Sequence, residues 1–579
     1  MEKLTAYSYV NQTLDEFEIH FNKMFGHDGI PAVSVAGERR YIIFLSIGNP
    51  QFRARVFKEG ASDITKAFQG IRKKVTTFIQ KSNFDPQWLK LDIVKDITEL
   101  PFKQLEDKIA KTRINYFRNG ISFDPEFRLA FLEQEINGNA MIKSTKNGPI
   151  ALDEKNINNY MKYNLHVRFP FVKAKYDEKK VFLFKTVGAF KDRDSDVIHN
   201  LYDGPLTNGV RKTKNIRDEA TALIHKATYF LTNQIQPDGK FEYGYFSAFA
   251  RRINTYNILR HSSSLYSMAE GYEIIQDPAI IKAVEKGLDY LVKEAVIYKK
   301  DLPEETAFVV DQANNNEIKL GSNATAILAM TKYMEVTGST KYIEAARALA
   351  RGIIHMKLPD GGFIHVLSYP TFAVKELHRI IYYEGEAVFS LLRLYAIDRD
   401  NQWLEEAKKS FEYFIRKDYW KHHDHWLSYA ANELTNYEPK DKYFIFGLKN
   451  CNNRLNFIFH RETTYPTFLE LTMAAYKMID KIKELNKDSL LEHIDERFLE
   501  DTIDRRAEYQ RVGFFYPELA MYKKLPALIL NGFFIRHHSF RVRIDDVEHY
   551  LSGYCQFLQH RASHLDTYKV EIEESIVPS

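Results

Sequence analysis

From about residue 216 onward the chain alternates two kinds of amphipathic helix. One kind carries charge along one face, over 217–233, 278–296, 342–356, 403–416, 442–459 and 490–510. The other is apolar nearly all round. Between Glu384 and Tyr395, for example, Ala387, Phe389, Leu391, Leu392 and Leu394 leave little polar surface, and such a helix is buried on most sides. The pattern predicts an outer and an inner series. Each inner helix opens on a polar cluster: Asn257-Ile258-Leu259-Arg260-His261, Gly321-Ser322-Asn323, Tyr382-Tyr383-Glu384-Gly385-Glu386, His422-His423-Asp424-His425-Trp426, Thr463-Thr464-Tyr465 and Arg541-Val542-Arg543-Ile544-Asp545-Asp546. Two near copies, Gln236-Pro237-Asp238-Gly239-Lys240-Phe241 and Leu358-Pro359-Asp360-Gly361-Gly362-Phe363, each stand between an outer helix and an inner one. Pro presets φ and Gly supplies φ > 0, so both are turns. Repetition of this kind points to a toroid or solenoid. A polar cluster at the same end of every pair favours a closed ring whose mouth gathers ionisable groups.

The first part has a different grain. Residues 40–47 read as a buried strand, Asn49-Pro50 as a turn and 52–57 as an alternating strand. Residues 64–80 have helical spacing, with Ile64, Phe68, Ile71, Val75 and Phe78 on one side, and 88–94 alternate again. This predicts a small α+β module over 1–115, with no phosphate loop or dinucleotide fingerprint. A connecting region is expected over 116–215. It has helix starts at Asp124-Pro125-Glu126 and Asp153-Glu154, a strand over 180–184 and a linker over 192–214. The ring would span 216–560 and a tail 561–579, giving a mainly α protein.

Composition narrows the function classes. Net charge is +4 with acids and bases mixed, which argues against a nucleic-acid partner held by phosphate neutralisation. Aromatics make up 14%, enough to line a cleft for sugar rings as well as a thick core. Cys451 and Cys555 allow neither a disulfide framework nor a zinc spacing, which fits a reducing compartment. The start lacks an apolar signal region, and no uncharged run approaches the roughly 20 residues that span a bilayer. A cytoplasmic location is expected.

The paired helices, the Pro-Asp-Gly-x-Phe hairpins at Asp238 and Asp360, and endings such as Leu392-Arg393-Leu394-Tyr395 resemble the (α/α)6 toroid, or six-hairpin glycosidase-like, superfamily. Its members include glycoside hydrolases, unsaturated-glucuronyl hydrolases, N-acylglucosamine 2-epimerase-like proteins and the C-terminal domains of D-glucuronyl C5-epimerases. The likeness covers about 216–560 and implies architecture; no family's catalytic motif aligns residue by residue. Terpene and lanthionine cyclases are similar in fold, but their Asp-x-Asp-Asp and Cys-His-Gly signatures are missing.

The candidate catalytic residues are Glu384, Glu386, Asp545, Asp546, His261 and His549. Glu384 and Glu386 diverge by about 200° on a helix, so both face the mouth only if the first belongs to the preceding loop. Asp545 or Asp546 shares a helix face with His549 and can orient its imidazole. In a closed ring the first and last inner helices are neighbours, which sets Arg260 and His261 beside Arg543 and Asp546 as a receptor for an anionic group. Tyr382, Tyr383, His425, Trp426 and Asn323 complete the expected substrate-binding set. The histidine spacing at 422–425 does not fit a metal, and no metal or cofactor is expected. Asp238 and Asp360 serve turns.

These residues predict a carbohydrate-active enzyme working on an anionic glycan or glycoconjugate, in the setting of cell-surface polysaccharide synthesis. Hydrolysis would need two carboxylates about 6.5–9.5 Å apart in an inverting enzyme. Epimerisation would use His261, His425, His549 or Tyr382 as base and acid, with Arg260 and Arg543 stabilising an enolate-like intermediate. A non-catalytic glycan- or peptide-binding scaffold is the first alternative, and a peptide-modifying or isoprenoid cyclase-like enzyme the second. Residues 1–115 would recruit any protein partner.

Overall fold

The computed structural model describes residues 5–562 apart from 146, 147, 168 and 303; residues 563–579 of the expected tail lie outside the described residues. The inner helices are Ile258–Ile275, Leu320–Thr337, Tyr382–Asp398, His425–Leu434, Thr467–Glu484 and Ile544–His560. Each packs on the next, and the last packs on the first, so the circuit closes. The outer helices are Ile216–Gln234, Pro278–Glu294, Ile343–His355, Asn401–Arg416, Asp441–Asn452 and Glu496–Gln510. The protein is therefore mainly α, built on an (α/α)6 toroid. Burial separates the two series as their composition requires. Every residue from Leu320 to Met334 is buried, whereas Asn401–Arg416 buries one stripe that includes Trp403, Leu404, Ala407, Phe411 and Phe414.

The fifth and sixth outer helices depart from expectation. The fifth breaks after Asn452, and a separate turn forms at Leu455–Phe459. The sixth begins at Glu496 because the Asp495 side chain caps it, accepting from the Phe498 N–H at 3.0 Å.

The two Pro-Asp-Gly hairpins fold alike. Asp238 accepts from the Lys240 N–H at 3.0 Å and Asp360 from the Gly362 N–H at 3.1 Å. Gly239 and Gly361 have φ of 93° and 103°. Each glycine lies against the carbonyl of the outer helix that follows it in the ring, at Lys286 and Lys409. Short strands link the loops at the mouth: Gly244–Phe246 pairs with Arg251–Arg252 on one side and Arg541–Arg543 on the other. The last strand thereby ties the sixth hairpin to the first.

The front module is an antiparallel sheet in which Glu38–Gly48, Trp88–Pro101 and Lys180–Asp192 lie side by side. The strand over 180–192 runs the whole length of Trp88–Pro101, so one sheet crosses the expected boundary at 115. The expected linker over 192–214 is also structured: Ile198–Asn200 pairs back onto this strand, and Leu201 bridges to Arg211. Asp124 starts no helix; its carboxylate accepts from the Arg128 and Leu129 N–H groups and closes a turn.

One face of the sheet is covered by the helices Ala6–Phe25 and Ile64–Lys81, with Phe17, Phe21, Phe68 and Ile71 in the core. The other face holds Phe44, Trp88, Phe184 and Phe190, and packs against Met521 and Tyr522 of the ring. No described helix is long and apolar enough to cross a membrane.

Candidate active site

At the mouth, the fourth, fifth and sixth inner helices bring together His425, Glu470 and His549. Asp424 caps the fourth helix by accepting from the Leu427 N–H at 2.8 Å, and this fixes His425 as its first residue. His549 Nδ1 lies 3.1 Å from Glu470 Oε2 and 3.4 Å from Glu548 Oε1. His425 Nε2 is 3.9 Å from the same Glu470 oxygen, and the two imidazole centroids are 5.2 Å apart. The Tyr429 hydroxyl donates to the other Glu470 oxygen at 3.3 Å. His425 and Glu470 are buried, while the His549 side chain is 22% exposed, so the cluster opens to solvent on the His549 side. Tyr382 lies edge-on to His425 at 5.7 Å, and Trp426 packs beneath it against Phe389 and Tyr429.

Buried polar atoms around this cluster that have no hydrogen-bond partner among the described residues include Asp424 Oδ1, His425 Nε2, Glu548 Oε1 and Glu386 Oε2. Buried polar atoms are almost always paired, so several orphans at one mouth mark a place for a ligand. Burial, opposed by His425, pushes the Glu470 carboxyl up to about 8. Burial, reinforced by Asp424, pushes Glu386 up to about 8. Glu548 is raised as well, by burial. A carboxyl that holds its proton near neutrality beside an imidazole can pass that proton on. The donor atoms of His425, Glu470 and His549 also lie within 4.8 Å of one another, close enough to share a cation.

The adjacency of first and last inner helices is present. Arg260 Nε lies 2.8 Å from Asp545, whose carboxylate also meets Arg543 Nη2 at 2.6 Å. Asp546 is held by Arg541 at 2.7 and 2.8 Å. Burial alone would push Asp545 up, but Arg260 and Arg543 outweigh it and hold it down to about 2. Asp545 and Asp546 are thus charge partners of arginines. They are not free acids or bases, and neither forms an ion pair with His549 among the described residues. Three arginines, Arg260, Arg541 and Arg543, meet two aspartates at this rim.

Four expected site residues are placed elsewhere. His261 points outward from the ring: Nε2 donates to the Gly287 carbonyl at 3.0 Å and Nδ1 accepts from the Tyr256 hydroxyl at 2.8 Å. Burial takes it down to about 4, so it is a neutral packing residue. Asn323 accepts from the Val309 N–H at 2.8 Å and donates to the Lys319 carbonyl at 2.9 Å, pinning a strand to its helix. Glu384 diverges from Glu386, as their helical spacing requires, and takes a hydrogen bond from His365 Nε2 at 3.2 Å. His365 Nδ1 accepts the Arg379 N–H at 2.9 Å, so only Nε2 carries a proton. Tyr383 stays with this outward group, its ring 5.5 Å from His365.

Glu470 and Glu548 are not among the residues that the helix-start clusters single out. Their signal is a glutamate inside an otherwise apolar inner helix, where an unpaired charge is costly. Glu270 of the first inner helix has the same signature. It lines a cavity of about 390 Å³ at the opposite end of the ring axis, with Lys332, Arg393 and Lys477.

No protein-family model matches the chain, and no curated protein matches it. Among solved structures, D-mannose isomerase is similar at 11% identity over 59% of this chain and 97% of that one, with a TM-score of 0.44. Cellobiose 2-epimerase from Bacillus thermoamylovorans is similar at 11% identity, 59% and 99% coverage and a TM-score of 0.44. An α-mannanase of Bacteroides thetaiotaomicron is similar at 9% identity, 59% and 96% coverage and a TM-score of 0.43. The closed circuit of inner helices establishes the ring by itself.

Proposed function

We propose that the chain is a carbohydrate-active enzyme that moves a proton on an anionic glycan or glycoconjugate, with His549 and His425 as the proton-transferring pair and Glu470 between them. The observation that carries this reading is one carboxyl facing two imidazoles, with His425 Nε2 left unpartnered among the described residues. In an epimerisation, one imidazole removes the proton on carbon next to a carbonyl or carboxylate. The resulting enolate is reprotonated on the other face by the second imidazole, and the Glu470 carboxyl, 3.1 Å from His549 and 3.9 Å from His425, passes the proton between them. The guanidinium groups of Arg260 and Arg543 at the rim, together with the inner-helix N-termini, suit the negative charge of substrate and intermediate. Hydrolysis is the weaker reading, because Asp545 and Asp546 are engaged by arginines.

The test is deuterium exchange from solvent into uronate-containing and reducing oligosaccharides, followed by proton NMR. Exchange is expected with the wild-type chain and should fall by roughly 10²–10⁴ in His549→Ala and Glu470→Gln. Unchanged exchange in these variants would overturn the assignment. Binding without exchange in the wild type would favour the scaffold reading. EDTA should leave exchange intact; abolition with rescue by a divalent cation would make the same three residues a metal site.

A further inference from the structure

A second cavity, of about 1170 Å³, lies between the front module and the first hairpin of the ring. Its walls come from the turn at Phe52, the ends of the helices Ile64–Lys81 and Glu154–Tyr163, and the ring turn Ser247–Phe249. Arg53 fastens the two sides together, donating to the Ala248 carbonyl at 2.5 Å and to the Tyr522 carbonyl at 3.1 Å.

Its charge is one-sided. Arg53, Arg55, Lys81 and Lys524 line it, and no Asp or Glu does. Among the described residues none of these cations is in an ion pair. Elsewhere, the exposed Lys341 lies within 2.9 Å of Glu285 and 2.7 Å of Asp289. The walls also present Phe52, Tyr163 and Phe249, which are 63%, 64% and 48% exposed, and the exposed amides of Asn83 and Asn159. Large apolar rings held in water beside unpaired cations suit a ligand with flat apolar faces, hydroxyls and anionic groups. The volume exceeds the roughly 300–1,000 Å³ of ordinary small-molecule pockets, which suits an oligomer. The front module lacks a glycine-rich phosphate loop, so a nucleotide is the poorer fit.

We propose that this cleft binds an anionic oligosaccharide several sugar residues long, as a site separate from the mouth. The two sites share one hairpin: Gly244–Phe246 leads into the Phe249 turn and pairs with Arg541–Arg543 at the mouth rim. The choice of a sugar ligand rests on the function proposed above, while the preference for an anion rests on the cleft alone.

The test is calorimetric titration of the full chain with tetragalacturonate, maltotetraose and uridine diphosphate at fixed ionic strength. Tetragalacturonate should bind, with maltotetraose at least tenfold weaker. Lys81→Gln with Lys524→Gln, both exposed positions, should weaken tetragalacturonate at least tenfold. Tyr163→Ala with Phe249→Ala should weaken it severalfold, with circular dichroism confirming folded variants. Glu470→Gln should leave this binding unchanged while lowering exchange at the mouth, so failure at one site is distinguishable from failure at the other. The proposal is overturned if tetragalacturonate does not bind, if the lysine variant binds it as well as wild type, or if uridine diphosphate binds more tightly.

Discussion

Glu270, Glu386, Glu470 and Glu548 are four buried glutamates on the inner helices, and their surroundings explain why they remain there. Glu270 is satisfied by Ser552 at 2.5 Å and Gln556 at 3.1 Å. Glu386 has an unpartnered oxygen, with Gly321 of the second inner helix so close that a Cβ there would collide with it. With Glu386 raised to about 8, the folded state keeps a proton that the unfolded chain releases near pH 4.5. Stability should therefore fall as pH rises from about 4.5 to about 8, at up to about 1.4 kcal/mol per pH unit for this group. Glu386→Gln should flatten that slope in denaturant titrations at pH 5, 6.5 and 8; an unaltered slope would show that Glu386 is not protonated. The first and last inner helices could be placed side by side from sequence because helix order fixes who neighbours whom, but the expected neighbour of Arg260 is Asp546, whereas Arg260 pairs with Asp545. Glu470 could not be placed, since its partners lie on two other helices, and a glutamate in an apolar helix does not say which residues it will meet. His261 misled because its place at a helix start says nothing of which way the ring turns it.

The elements were far more legible than the contacts. Inner helices announce themselves by lacking a polar face, and the Pro-Asp-Gly turns by their chemistry. What remained hidden was the third partner of each turn: Gly239 and Gly361 sit against a carbonyl of the following outer helix. Substitution meets both a positive φ and a collision. Gly361→Ala and Gly239→Ala should each cost at least about 1 kcal/mol, measured as a shift in urea midpoint. An equal loss at both would support their equivalence in the repeat, whereas Asp238→Asn should cost less. The boundary at 115 failed for a different reason. Strand pairing between 88–101 and 180–192 is non-local, and an alternating apolar run does not name its partner.

At the scale of the whole molecule, the front module is held by a buried face. Ser46 and Tyr522 hydroxyls meet at 2.7 Å inside it, and the Ala54 N–H donates to the Met521 carbonyl at 2.7 Å. Arg211, from the end of the front part, pairs with the buried Glu518 of the ring at 2.6 Å. Expressing the ring without residues 1–205 should expose Met521, Tyr522 and their apolar neighbours and yield aggregated protein. Light scattering would check this, and a soluble, cooperatively melting ring would refute it.

The pairing of Arg541–Arg543 with Gly244–Phe246 bears on biosynthesis. Ser263 and Glu548 touch although 285 positions separate them. A nascent chain that has not yet released Ile544–His560 from the ribosome has neither a shut wall nor a rim for the mouth. The proposed chemistry should therefore switch on only once Ile544–His560 has joined the ring.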